Sequence, residues 1–402
     1  MEWRYIKMKR KEKTYPYQRI EKEKINRMAS WINMAEVGPI RLHLNLTDRC
    51  NLTCKFCWQR TNDKIPKDKE LSKDRIFELL EEAKKIGVME VFISGGGEPL
   101  MKEEIWEIML KIKKLGFWAD MTTNGTLFDK EFIEKLVKAK WNHINFSLDG
   151  DEKTHDFLRQ KKGVFRKAVE NIKYFNYCKK KFKSDFPELS IAMVLNRKNY
   201  ALLPYMFELA SGLNCSDIQV NAIKSYTNPK LKTRVSYFFD DLLGRSLYLK
   251  KNDFSKLEKI IKLINSGRDS KYNLDLNLIK SFENYNFEDY KESQIPTMLK
   301  ENRFNYSDKK YVCFEPFLTI VANPDGSFGC CCERAGEYKK MNLKNNSLSE
   351  IWKSDYYNKV RKSISDGRLS QHCAKCGLWQ IDNTNIIKNL LKKNKRMLNL
   401  LK

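Results

Sequence analysis

The sequence predicts an α/β protein in which short strands alternate with amphipathic helices around a parallel sheet, followed by a small cysteine-rich module. From Ile40 to about Lys224, short apolar runs alternate with stretches of helical periodicity, the pattern of repeated β-α units. Gly87 and Gly116 stand where two of the helices should stop, as residues able to take the left-handed cap conformation. The eleven cysteines gather mainly in two groups, one after the first strand and one beyond residue 311, which separates a core from a second metal-bearing region.

Composition sets the bounds. A chain of 402 residues with 42% apolar and 12% aromatic content can bury a substantial core in one large or two ordinary domains. No apolar run approaches the roughly 18–20 residues that span a bilayer. Met1–Lys24 is charged throughout, without the apolar centre of a secretory signal, so a cytoplasmic location is expected. Cysteines in that compartment are reduced, which favours metal ligation over a disulfide frame. The net charge of +25 comes from 76 basic and 51 acidic residues. A polyanionic partner such as RNA is one reading; solvated, lysine-rich helix faces are the preferred one, because runs such as Lys179-Lys180-Lys181 accompany no nucleic-acid motif.

Residues 1–39 read as a basic N-terminal extension. In the first strand, 40–46, Ile40, Leu42, Leu44 and Leu46 alternate with Arg41, His43 and Asn45. The loop after it carries Cys50-Asn-Leu-Thr-Cys54-Lys-Phe-Cys57. Three thiolates on one loop can hold three irons of a [4Fe–4S] cube and leave the fourth iron open to a ligand. A closed zinc site wants four ligands, and no nearby His or fourth Cys supplies the last. A helix at 73–86 leads to a strand at 90–94 and to Ser94-Gly95-Gly96-Gly97-Glu98-Pro99, where glycines allow a backbone edge to approach a ligand. A dinucleotide fingerprint is disfavoured, since Leu100 replaces its third glycine and Pro99 interrupts the helix start.

A helix at 103–115 precedes a strand at 117–122 that ends in Thr122-Thr123-Asn124-Gly125-Thr126. After a helix at 129–139, the strand at 143–148 runs into Phe146-Ser147-Leu148-Asp149-Gly150, with His155-Asp156 and Arg159 beyond it. A guanidinium at Arg159 suits a carboxylate partner. Asp149 and Asp156 also fit turn and cap roles. A helix at 164–180, a strand at 189–195 with Asn196 just past it, a helix at 200–211 and a strand at 217–223 complete six units. Residues 225–310 read as barrel completion and connection, with a helix near 254–266 and a strand near 272–277. The cysteine-rich module, 311–380, holds Cys313, Cys330-Cys331-Cys332 and Cys373-Ala-Lys-Cys376, around the turn Asn323-Pro324-Asp325-Gly326 and the segment Leu348-Ser-Glu-Ile-Trp352. A tetrahedral zinc frame is an open reading of that set. The tail, 381–402, places Ile386, Ile387, Leu390, Leu391, Leu398 and Leu401 among lysines, as an amphipathic helix that caps the module or meets a partner.

In this order the segments resemble the radical S-adenosylmethionine (SAM) enzymes. The CxxxCxxC loop with Phe56 before its last cysteine is similar to that family's signature. Gly96-Gly97-Glu98-Pro99 matches its GGEP motif, and Asn124 lies in a TNG-like segment. Ser147 to Arg159 resembles the SLDG…HDxxR stretch of the subgroup whose C-terminal extension is called SPASM. The resemblance implies a partial (β/α)6 TIM-like barrel, with the cysteine loop at the carboxyl end of its first strand. It implies that Cys50, Cys54 and Cys57 hold a SAM-binding [4Fe–4S] cluster, whose electron breaks SAM to a 5′-deoxyadenosyl radical. Phe56, Gly96, Gly97, Glu98, Asn124, Ser147, Arg159 and Asn196 become candidate cofactor contacts, with Ser147 and Arg159 at the ribose or carboxylate. In the SPASM or shorter twitch-like module, alignment on the Asp-Gly turn puts Cys331 at a ligand position, with Cys330 or Cys332 as substitutes. Together with Cys313, Cys373 and Cys376, that implies one auxiliary [4Fe–4S] cluster. Cys178 and Cys215 read as inert core residues, and His43, His143 and His372 as structural or solvent-facing; His155 stays undecided.

The expected activity is that of a radical SAM oxidoreductase or isomerase: oxidation, epimerisation or cross-linking of a small molecule (a sugar or nucleotide-linked compound) or a peptide. An electron donor such as flavodoxin or ferredoxin and an anaerobic setting go with it. A barrel beginning near residue 40 disfavours leader-peptide recognition in cis, and a single auxiliary cluster favours small molecules. An RNA-modifying radical SAM enzyme and a non-enzymatic, zinc-stabilised interaction protein are the alternatives.

Overall fold

The structure, a computed structural model, describes residues 5–6, 15–32, 37–57, 65–222, 247, 249, 251–266, 313, 315–331, 336 and 338–365. The strand expected near 272–277, His372, Cys332, Cys373, Cys376 and the tail 381–402 lie outside the described residues.

A short strand β1 (Tyr5–Ile6) and a helix α1 (Tyr15–Ile32) precede the repeating units. These run β2 (Arg41–Leu44), α2 (Lys73–Lys85), β3 (Glu90–Ile93), α3 (Ile105–Lys114), β4 (Trp118–Thr123), α4 (Lys130–Lys138) and β5 (His143–Ser147). Next come α5 (Glu152–Arg159), α6 (Val164–Lys181), β6 (Glu188–Leu195), α7 (Leu203–Gly212), β7 (Asp217–Ala222) and α8 (Lys251–Ser266). The C-terminal part adds β8 (Thr319–Ala322), β9 (Phe328–Gly329), α9 (Leu348–Trp352) and α10 (Asp355–Ser365). All described strands join one sheet in the order β1-β7-β6-β5-β4-β3-β2-β8-β9. β2 to β7 are parallel neighbours in sequence order, and the strands at the two edges, β1 and β9, are antiparallel. The six expected β-α units are therefore present as a partial barrel. Among the described residues no helix is long and apolar enough to cross a membrane.

Successive strand residues point to opposite faces. On the outer face Leu42, Leu44, Val91, Ile93, Met121, Ile144 and Phe146 join the apolar stripes of the helices, such as Ile76, Leu79, Leu80 and Ala83 of α2, in one core. Caps fix where those helices begin: Ser72, Asp129 and Asp151 accept backbone N–H groups of α2, α4 and α5. The inner face is polar. Thr122, Asn145, Ser190 and Asp217 pair in register across four strands. One step down, the His143 ring lies 2.8 Å from both Asp120 Oδ1 and Ser190 Oγ, and His43 Nε2 lies 2.8 Å from Ser94 Oγ. Both histidines are buried. They are structural members of this polar lining.

Two features differ from the sequence reading. The N-terminal extension contains a helix that seals the amino ends of the strands, with Ile20 and Met28 packed on Ile40, Trp118 and Leu318. Arg27 ties it down by donating to the carbonyls of Gly38, Pro39 and Gly87 at 2.6–2.9 Å. The C-terminal part, in turn, extends the barrel's own sheet: β8 runs parallel to β2, and Asn45 donates its backbone N–H to Ala322 O and its amide to Asn323 Oδ1. Neither was visible locally, because both depend on partners far away in sequence.

Candidate functional site

The cysteine loop leaves the carboxyl end of β2, where parallel α/β folds collect their chemistry. Its first residues are held from both sides. Glu70, buried, accepts from Thr47 Oγ1 at 2.5 Å, from Arg49 Nε at 3.3 Å and from Lys102 Nζ at 3.2 Å. The glycine-rich segment after β3 lies against the same backbone: Gly97 N donates to Thr47 O (2.7 Å) and Glu98 N to Arg49 O (2.9 Å). A Cβ at Gly97 would run into the Arg49 carbonyl, and one at Gly95, whose φ is +103°, into the Asn45 amide. These two glycines are required by chain packing, a reason that motif spacing alone does not reveal. Gly96, between them, is buried.

Cys54 is buried, and Cys50 and Cys57 are half-buried around a small apolar patch with Leu52, Phe56 and Val164. Burial, reinforced by Glu98 and the neighbouring sulfurs against a backbone hydrogen bond from Leu52, pushes the Cys50 thiol up to about 11. Such a thiol keeps its proton until a cation replaces it, as in a metal-ligating cysteine. Among the described residues no three His, Cys, Asp or Glu side chains close on a single metal ion. An iron–sulfur cube asks for a different arrangement, one thiolate per iron. Three thiols on one short loop, backed by apolar side chains, fit that group.

Helix α5, which the sequence reading passed over, brings the next groups in. Leu158 O accepts Lys55 N at 2.8 Å. Arg159 places Nη1 3.6 Å from Cys54 Sγ and Nε 2.6 Å from Asp149 Oδ2, with its guanidinium 5.2 Å from the Phe56 ring centroid. Burial works against the guanidinium's charge, but Asp149 and Cys54 reverse this and hold it above its usual range. Asp156 accepts Gly163 N and Phe165 N and so caps α6.

Glu98 carries a wholly enclosed carboxylate that accepts Thr123 Oγ1 (2.5 Å), Leu100 N (3.3 Å) and Asn124 N (2.8 Å). Burial raises it to about 6, despite those hydrogen bonds and the Arg159 charge. It thus ties the glycine-rich segment to the end of β4. Asn124 donates its amide to Asn51 Oδ1 of the cysteine loop (2.8 Å) and accepts from Thr126 Oγ1 (2.7 Å). Ser147 stands half-buried at the end of β5. Asn196 is buried and bonded to Val194 O and Lys198 N within its own turn, and Val194 N in turn donates to Asp149, the partner of Arg159. Glu70, Asn51 and Asp149 were missed as site residues. A signal existed only for Asp149, ten positions before Arg159.

In the C-terminal part, Cys330 is fully buried beside the Tyr356 hydroxyl (3.5 Å) and joins the core with Phe328, two residues earlier on the same face. Cys331 and Cys313 are half-buried at the edge of that core. Cys178 and Cys215 are buried in the main core, and burial pushes the Cys215 thiol up to about 12.

Residues 44–186 match the radical SAM superfamily, and residues 313–377 match the SPASM iron–sulfur cluster-binding domain. The AdoMet-dependent heme synthase of Methanosarcina barkeri is 32% identical over 177 residues, 44% of this chain and 48% of that protein. The PqqA peptide cyclase of Rhodopseudomonas palustris is 29% identical over 191 residues, 47% of this chain and 48% of the cyclase. The chain thus spans about half the length of these curated relatives. Streptococcus suis SuiB bound to S-adenosylmethionine shares the fold, with a TM-score of 0.60 and 18% identity over 92% of this chain and 83% of SuiB. SuiB bound to the precursor peptide SuiA gives a TM-score of 0.57 at 19% identity, over 92% of this chain and 76% of SuiB.

Proposed function

We propose that this chain, which belongs to the radical SAM proteins with a C-terminal SPASM domain, oxidises or cross-links a residue of a peptide substrate. The two domains imply [4Fe–4S] clusters and SAM as its cofactors. Three thiols on one loop, met from α5 by Arg159 and from β4 by Asn124, carry this reading. The chemistry that a bound cluster supplies is one-electron cleavage of SAM, which gives a 5′-deoxyadenosyl radical able to remove a hydrogen atom.

The chain's own residues supply the rest. Cys50, Cys54 and Cys57 would each hold an iron. Phe56 and the backbone from Gly96 would border SAM, with Asn124, Ser147 and Arg159 offering polar contacts to its ribose and carboxylate. Glu98 acts one step back, by fixing Asn124. In the SPASM domain, Cys313 and Cys331 would join Cys373 and Cys376 around the auxiliary cluster, since Cys330 faces the core. A polar inner face at Thr122, Asn145 and Ser190 favours a substrate with hydrogen-bonding groups. The peptide class is supported by the PqqA peptide cyclases and by SuiB with its bound peptide. A flavodoxin or ferredoxin is the proposed electron donor.

Anaerobic reconstitution should load about eight irons, four per cluster. With SAM and dithionite the protein should release 5′-deoxyadenosine. A candidate peptide deuterated at the reacting carbon should pass its label into that product. Zinc in place of iron, or no 5′-deoxyadenosine, would overturn the reading; label transfer from a sugar or nucleotide instead would replace the peptide class.

A further inference from the structure

We propose that Asp149 and Arg159 form a charge couple that sets the reduction potential of the cluster held by Cys50, Cys54 and Cys57, the two residues acting with opposite signs. The inference rests on the functional reading above and assigns Arg159 a role beyond contact with SAM.

The couple is built into the backbone. Arg159, at the end of α5, reaches the Cys54 sulfur with Nη1 and the Asp149 carboxylate with Nε. The far carboxylate oxygen of Asp149 accepts Val194 N at 2.8 Å, and its carbonyl accepts the Asn199 amide at 2.8 Å. Asp149 is 0% exposed and Arg159 8%, so neither charge is screened by solvent as a surface ion would be. His155 stands beside both, but its Nδ1 accepts the Asp149 N–H, and burial and the Arg159 charge lower its pKa. It adds no third charge. Two further buried carboxylates keep their own partners: Glu98 bonds to Thr123 and Asn124, and Glu70 to Thr47, Arg49 and Lys102.

Hydrogen bonds to ligating sulfurs and the net local charge are two of the levers that set an iron–sulfur potential. The guanidinium is the nearer group and favours the extra electron of the reduced cluster. The carboxylate behind it opposes that effect. Together they give Cys54 a fixed hydrogen-bond donor while cancelling most of the donor's field. A lone arginine here would make the cluster a weaker reductant, and SAM cleavage demands a strong one. The stacking of the guanidinium on Phe56 holds the geometry.

The test uses the full chain, reconstituted anaerobically, with EPR spectra recorded at a series of poised potentials. The relevant cluster is the one whose signal changes when SAM is added. For R159M, which leaves Asp149 uncompensated, the midpoint should fall by about tenfold in the reduced-to-oxidised ratio, ~59 mV for one electron. For D149N it should rise by a similar factor. R159K, which keeps the charge without the planar fork, should stay within about twofold of the parent. Equal signs for R159M and D149N, or shifts under twofold in both, would overturn the proposal. Where D149N fails to bind its iron, the two Arg159 variants carry the test between them: a fall in R159M without one in R159K supports the couple, and equal behaviour of the two refutes it. Absence of a SAM-responsive cluster in the parent protein would count against the functional reading instead.

Discussion

The two cysteine regions of this molecule are built from opposite materials. The loop with Cys50, Cys54 and Cys57 is held by charged and polar groups from four neighbouring segments: Glu70, Glu98, Asn51 with Asn124, and Arg159 with Asp149. In the C-terminal part Cys330 sits against aromatic rings, with Phe328, Tyr338 and Tyr356 packed together beside it, and Cys313 and Cys331 lie at the edge of that apolar core. A site that must bind a zwitterionic ligand and exchange electrons needs oriented dipoles and compensated charges. A closed cluster needs only exclusion of water and four thiolates. The contrast follows from which strand ends each region meets: the first faces the open carboxyl ends of β2 to β5, the second is pressed against the sheet by α9 and α10.

The largest expected effect breaks the first region alone. Cys54→Ala should reduce 5′-deoxyadenosine formation to the level of a control without enzyme, and lower bound iron by about four per chain while sparing the auxiliary cluster. Normal 5′-deoxyadenosine formation by this variant would refute the assignment of the loop.

The second region is tested by two adjacent residues with opposite placement. Cys331→Ala should lose the auxiliary cluster, again about four irons. Cys330→Ala should keep its iron and instead destabilise the fold by about 1 kcal/mol, through the small cavity left beside Tyr356. Iron analysis and thermal unfolding of the two variants separate these outcomes, and a reversed pattern would move the ligand to Cys330.

Sequence alone went far where the signal was periodic or carried by glycine, proline and cysteine. Strands expected at 90–94 and 143–148 lie at Glu90–Ile93 and His143–Ser147: the first is a continuous apolar run, Val91-Phe92-Ile93, ended by Ser94-Gly95, and in the second Ile144 and Phe146 alternate with His143, Asn145 and Ser147. Helix α5 escaped notice because its eight residues fall inside a stretch read as a motif, although Asp151 caps it. The pairing of β8 with β2 was illegible for another reason: it joins segments nearly 280 residues apart, and nothing in Thr319–Ala322 names its partner. Three consecutive cysteines likewise cannot rank themselves. Only the packing of Phe328 and Cys330 on one face separates Cys330 from Cys331. At Glu98, finally, the motif marks the position but not its partners, Thr123, Leu100 and Asn124, which donate to the carboxylate from its own turn and from the end of β4.

That occupied carboxylate tests the first region through pH, by an effect on stability and not on iron content. Glu98 is raised from 4.5 to about 6 in the folded, iron-free chain. The folded state therefore holds this proton more tightly than the unfolded state does. Stability from this group is fully present below pH 4.5 and is lost as pH rises through about 6, a change of about 2 kcal/mol. Glu98→Gln should flatten that part of the pH–stability curve. It should also lower the plateau by about 1–3 kcal/mol, because its amide nitrogen cannot accept the Asn124 N–H. Denaturant unfolding of the iron-free protein and the variant between pH 4.5 and 7 measures both. An unchanged slope in the variant would mean that some other group supplies the pH dependence, and that the polar packing around Cys50 holds Glu98 ionised throughout.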